Sequence, residues 1–131
     1  MPEAARLNFL LVDDEPLICE MLHDILVDLE YNVIGQANNG TSAIEKAALL
    51  KPDIVFLDIN MPEINGLDAL ASIKTRNKGI IVIMVTANSD ISTVQQAVRT
   101  GADGYILKPF NAQQIIRAIE KAVAKRDKAE S

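Results

Sequence analysis

Residues 54–58 read IVFLD and residues 80–86 read IIVIMVT, two short runs whose apolar residues follow one another without the alternation of a half-exposed strand. They are too short for an ordinary helix and rich in β-branched side chains, so they read as strands. A strand that is apolar on both sides has to be covered on both sides. That is the condition of a parallel strand lying between two layers of helices.

The same reading repeats outward along the chain. LNFLLV (7–12) is a strand followed by residues 15–30, where Ile18, Met21, Leu22, Ile25, Leu26 and Leu29 recur every three to four positions, the period of a helix with one buried face. VIGQA (33–37) precedes a helical stretch at 40–50, IVFLD one at 66–76, IIVIMVT one at 90–100, and GYILK (104–108) one at 111–126. Gly40, Pro52, Pro62, Asn65-Gly66, Lys78-Gly79, Gly101 and Pro109 stand where helices stop or turns form. Five β/α units in 131 residues, 49% apolar and 24% charged, predict a single α/β domain over 1–131, with its core at 7–125 and a short flexible tail at 126–131. Right-handed crossovers and short connections favour a flavodoxin-like doubly wound five-stranded parallel sheet of order 2-1-3-4-5 with five helices.

Bulk properties exclude several classes of function. A net charge of −5 and a pI near 4.8 oppose nonspecific binding to nucleic acid or to an anionic membrane, both of which need clustered Lys and Arg. One cysteine, Cys19, allows neither an internal disulfide nor a thiolate metal cage. MPEAARL lacks the basic-then-apolar layout of a signal peptide, and no run approaches the ~18 apolar residues that span a bilayer, so a cytoplasmic protein is expected.

In an open sheet of this kind, sites form beyond the carboxyl ends of the strands, where the strand order reverses. FLLVDDEP (9–16) places Asp13 and Asp14 after the first strand; Asp58 ends the third, Thr86 the fourth and Lys108 the fifth. Converging carboxylates repel, so either a pKa rises or a cation neutralises them, and the all-oxygen donor set points to a hard divalent ion. Mg²⁺ is the natural choice, with Mn²⁺ as its alternative. A metal, an ammonium and a hydroxyl around one carboxylate are the parts of a phosphoryl-transfer site. Asp58 would then be the nucleophile that holds the phosphoryl group as an acyl phosphate.

VDDEP, FLDINMPEINGLDAL, VTA and YILKPF, in this order and spacing, resemble the receiver domain of two-component response regulators over roughly residues 7 to 125. The resemblance implies roles residue by residue. Asp58 matches the phosphorylated aspartate, Asp14 a direct Mg²⁺ ligand, Asp13 a ligand acting mostly through water, and the backbone carbonyl of Asn60 a further ligand. Thr86 matches the hydroxyl that moves toward the phosphoryl group, Lys108 the lysine that pairs with it, and Tyr105 the aromatic switch. Ala87 matches a small residue that leaves the phosphoryl group room, and the Lys108-Pro109 peptide is expected cis. The implied donor is a sensor histidine kinase or a histidine phosphotransfer protein. The implied output is a protein partner on the face of helix four, strand five and helix five, near Ile91, Gln95, Tyr105, Gln114 and Arg117, with a phosphorylation-dependent dimer left open. Such a protein is a switch and not a turnover enzyme, catalysing only its own phosphorylation and slow dephosphorylation.

Simpler readings stand beside these. Asp14 can cap the helix that starts near Glu15, and Glu15 reads as a first-turn residue favoured by the helix dipole, not as a ligand. His23 reads as a solvated or helix-packing residue and Cys19 as a small core residue. The nearest enzymatic rival is a phosphatase of the haloacid-dehalogenase type, which needs a second Asp two residues after the nucleophile; here that position is Asn60, whose amide exchanges no proton near neutral pH. A flavodoxin-type nucleotide module fails on sign, because DDE in the first loop repels a phosphate. The last segment, KAVAKRDKAES, reads as a solvated helix end and short tail without linker character, which favours a stand-alone receiver.

Overall fold

The computed structural model describes residues 7–130, the side chains of 129 and 130 excepted. Residues 1–6 and Ser131, which belong to the expected domain and tail, lie outside the described residues. Five strands alternate with five helices: β1 Asn8–Val12, α1 Pro16–Asp28, β2 Asn32–Ala37, α2 Gly40–Leu50, β3 Ile54–Leu57, α3 Gly66–Arg76, β4 Ile81–Thr86, α4 Ile91–Thr100, β5 Gly104–Leu107 and α5 Ala112–Glu130. All strand pairs are parallel, as the two apolar runs imply, and the order is β2-β1-β3-β4-β5.

Within each strand the pleat sorts alternate residues into two cores. Leu10, Val12, Val55, Leu57, Val82 and Met84 pack with Ala43, Ala47, Leu70, Ile73 and Ala97 from α2, α3 and α4. Phe9, Leu11, Ile54, Phe56, Ile83 and Val85 pack with Leu22, Leu26, Ile115 and Ile119 from α1 and α5. Both sets are almost wholly removed from water. That burial on two faces is why β3 and β4 show no polar alternation.

Local chemistry sets the helix ends. Asn39 and Asn65 accept from the amides of Ser42 and Asp68 and so start α2 and α3. Asn111 and Gln114 cap each other's amides at the start of α5. Gly101 ends α4 at a φ of 114°, where a Cβ is disfavoured. The last helix, expected over 111–126, is longer in the structure: α5 continues to Glu130. Lys, Ala, Arg and Glu fill this stretch with good helix formers, and no Gly or Pro interrupts it.

Gly66 ties this scaffold to the end of β3. Its amide donates to the Ile59 carbonyl at 2.7 Å, and a Cβ there would lie 2.0 Å from the Asp58 carbonyl oxygen and 2.6 Å from the Ile59 Cα. Backbone cannot yield as a flexible side chain can. Gly66→Ala is therefore expected to destabilise the protein by about 3 kcal/mol, read as a lowered midpoint in urea unfolding. A midpoint equal to the wild type would show that the β3–α3 connection is free to move.

Candidate functional site

Three functional side chains stand on backbone that the sheet itself fixes. The hydrogen-bond ladder runs one residue past the strand ends: the Asp13 amide donates to Ala37, the Asp58 amide to Val12, and the Lys108 amide to Thr86, at 3.1, 3.0 and 2.9 Å. Asp13 and Asp58 are buried and Thr86 is fully so, whereas Asp14, the next residue along, is exposed.

The side chains converge. One carboxylate oxygen from each of Asp13, Asp14, Glu15 and Asp58 lies within 4.8 Å of the others. Lys108 reaches into this group, its Nζ 2.7 Å from Asp13 Oδ2, 2.9 Å from Glu15 Oε1 and 3.2 Å from Asp58 Oδ2. Asp13 Oδ1 accepts from the Glu15 amide at 2.9 Å, and Asp58 Oδ1 accepts from the Ile59 amide at 2.7 Å. The Lys108-Pro109 peptide is cis.

Charge dominates the energetics here. Two carboxylates at ~5 Å repel by about 3 kcal/mol at an effective dielectric of 20, and one ammonium cannot offset four of them. Burial pushes the Asp13 carboxyl above its ordinary value, with Asp58 adding to the rise and the bonds from Lys108 and the Glu15 amide opposing it. Burial would lower the Lys108 ammonium, but its contacts with Asp13 and Glu15 and the charge of Asp58 outweigh that, and its pKa stands above the ordinary lysine value. The contact between Lys108 and Asp13 Oδ2 is close but poorly directed. That buried oxygen has no hydrogen bond of good geometry among the described residues, despite the 2.7 Å ion pair. A buried, under-bonded carboxylate oxygen in an all-oxygen cluster fits a hard divalent cation.

Around the cluster the structure places the other residues singled out in the sequence. The Thr86 hydroxyl accepts from the Asn88 amide at 3.3 Å, and the Tyr105 hydroxyl donates to the Asn88 carbonyl at 2.6 Å. Burial raises the Tyr105 phenol above its ordinary value, with Asp58 and Asp90 contributing. Asn60 and Ala87 are exposed in the loops after β3 and β4. Cys19 is buried, with its thiol 3.7 Å from the Asp13 carbonyl oxygen. His23 is half-exposed beside Asp24.

Two readings change. Asp14 does not cap α1: the position before Pro16 is Glu15, which makes no side-chain cap, and it is Asp13 that bonds the Glu15 amide across two residues. Glu15 is not simply a first-turn residue, since its carboxylate joins the cluster and pairs with Lys108. Helical periodicity carries no signal for that contact, because its partner lies 93 positions along the chain.

A family model described as the response regulator receiver domain matches residues 9–120. Chemotaxis protein CheY of Listeria monocytogenes serovar 1/2a is 41% identical over 116 residues, covering 88% of this chain and 98% of that protein. The transcriptional regulatory protein PdtaR of Mycobacterium tuberculosis is 39% identical over 116 residues, covering 88% of this chain and 56% of that longer protein. The solved CheX-CheY-BeF3-Mg complex of Borrelia burgdorferi contains a chain that superposes with a TM-score of 0.86 at 29% identity, covering 89% of each chain.

Because the folded-state pKa of Asp13 is raised, its favourable contribution is present below the unfolded value of 3.8 and is lost as pH rises through the folded value, so at neutral pH the charge costs stability. Asp13→Asn is expected to melt about 3 °C above the wild type in chelator at neutral pH. Added Mg²⁺ should raise the wild-type midpoint and barely move that of Asp13→Asn. A variant that melts lower in chelator, or responds fully to Mg²⁺, would contradict this reading of the cluster.

Proposed function

The chain belongs to the response regulator receiver family, and from that premise we propose that it is a phospho-acceptor switch in a two-component phosphorelay, taking its phosphoryl group on Asp58. The observation that carries this is the placing of the Asp58 carboxylate: backbone fixed by the β1–β3 ladder, one oxygen on the Ile59 amide, the other on Lys108, within 4.8 Å of three further carboxylates.

The donor is a phosphohistidine of a sensor histidine kinase or a histidine phosphotransfer protein. An Asp58 oxygen attacks phosphorus in line, the P–O bond forms as the P–N bond breaks, and the bonding pair returns to the imidazole. Asp13, Asp14, Asp58 and the backbone carbonyl of Asn60 would hold Mg²⁺, or Mn²⁺ in its place, which supplies positive charge to the incoming phosphoryl oxygens. Lys108 pairs with one of those oxygens, the Thr86 hydroxyl donates to another, and Ala87 leaves them space. On this reading the chain works as a signalling switch in the cytoplasm rather than as a turnover enzyme. None of the helices among the described residues is long and apolar enough to cross a membrane.

The readout follows from Thr86. Its hydroxyl is bonded to the Asn88 amide, and the Asn88 carbonyl to Tyr105, so a Thr86 drawn toward the phosphoryl group disturbs the bond that holds Tyr105. Tyr105 lies on the face of α4, β5 and α5, where Ile91 is 73% exposed and Gln95, Gln114 and Arg117 are exposed. That face is the docking surface for a downstream protein and for any phosphorylation-dependent dimer. Alanine substitutions there should weaken partner binding without changing phosphorylation.

Intact-mass analysis with acetyl phosphate tests the chemistry. A single phosphoryl adduct is expected with Mg²⁺, absent with chelator and absent in Asp58→Asn; an adduct that persists in Asp58→Asn would refute the assignment. Asn60 and Asn88, each two residues past a site residue, flank the approach of a hydrolytic water, and the Asn88 side chain already accepts from the Asp90 amide at 3.0 Å. Replacing either by Ala is expected to change the decay rate of the adduct. Decay identical to the wild type in both variants would remove them from the hydrolytic path.

A further inference from the structure

Lys108 and a divalent cation want the same oxygens. The Lys108 side chain is only 10% exposed, and its ammonium sits closest to Asp13 Oδ2, the under-bonded buried oxygen, and touches Asp58 Oδ2 as well. A cation entering between Asp13 and Asp58 therefore has to displace it. Displaced from both, the ammonium loses two of its three ion pairs. It needs another carboxylate to lean on.

Glu15 is that carboxylate. Its Oε1 accepts from Lys108 Nζ at 2.9 Å, while its side chain is 61% exposed, at the outer rim of the cluster. Its amide is pinned by Asp13 Oδ1, so the side chain stays within reach of Lys108. We propose that Glu15 is a positioning residue: it holds the Lys108 ammonium at the rim while Asp13 and Asp58 take up the cation, and so lowers the cost of metal entry. Glu15 acts through Lys108 and not as a metal ligand. The inference rests on the reading of the cluster as the Mg²⁺ site.

The two routes by which Glu15 acts on the metal make different predictions. A direct effect of its charge would persist without Lys108, whereas an effect through the ammonium would vanish with it. The test is calorimetric titration of the full chain with MgCl₂, for the wild type, Glu15→Gln, Lys108→Met and the double variant, each first confirmed to unfold cooperatively. Glu15→Gln should bind Mg²⁺ about threefold more weakly than the wild type, the scale of one partly exposed ion pair. Lys108→Met should bind more tightly than the wild type, and adding Glu15→Gln to it should change the affinity by less than the scatter of the measurement. An equal loss in both backgrounds would make Glu15 a direct electrostatic contributor and overturn the proposal. No loss in either background would overturn it too. Absence of any Mg²⁺ binding by the wild type would instead overturn the metal reading on which it rests. Should Lys108→Met not fold, Glu15→Asp gives the same decision, since it keeps the charge near the metal and withdraws the carboxylate from Lys108: weaker Mg²⁺ binding than the wild type supports the proposal, and unchanged or tighter binding overturns it.

Discussion

Like charges held together at the carboxyl edge of a rigid sheet are the constraint from which the rest of this structure follows. The β ladder continues past the strands to the amides of Asp13, Asp58 and Lys108, so these residues cannot relieve their repulsion by backbone movement. Side chains in the Glu15 and Asp14 positions are freer, but Asp13 and Asp58 are buried and the field between them is only weakly screened. The two buried carboxylates are eased by the Glu15 and Ile59 amides and by the positive charge of Lys108. Under our reading a divalent cation answers the remaining repulsion, and it also offsets the negative charge that an incoming phosphoryl group adds.

The rigidity behind this edge comes from burial on two faces. Each central strand alternates its residues between a core shared with α2, α3 and α4 and a core shared with α1 and α5, leaving no solvated face on which a strand might slip. The chain from Thr86 through Asn88 to Tyr105 is built differently. Its links are one side-chain acceptor, one loop residue and one phenol bonded to a loop carbonyl, and loop bonds of this kind open at a lower cost than ladder bonds. Under the proposed function, a fixed acceptor beside a deformable relay would keep the chemistry in place while the surface changes.

Most of the fold was readable because its signals are local or periodic. The apolar runs at 54–57 and 81–86, the three-to-four spacing of α1 and the Gly and Pro punctuation each report on a few neighbouring residues. Asp13, Asp58, Thr86 and Lys108 were legible for a different reason: a parallel sheet brings its strand ends together, so residues at those ends meet whatever their separation in sequence. What escaped was the chemistry of reach. Nothing in VDDEP says that the third acid turns toward a lysine just past β5, because that depends on the angle at which α1 leaves the sheet and on the rotamer of a long side chain. The end of α5 was misplaced because a polar, charged segment looks the same whether it is a solvated helix or a tail, and here helix propensity won.

The account turns on Asp58 as the acceptor, and the most direct measurement locates the bond. After reaction with acetyl phosphate and Mg²⁺, reduction with borohydride converts an aspartyl phosphate into homoserine, whose position tandem mass spectrometry of the digested protein can assign. The account predicts homoserine at position 58 and nowhere else, in an amount that falls away when the metal is chelated. Homoserine at position 13 or 14, or at 58 with a yield indifferent to the chelator, would contradict it.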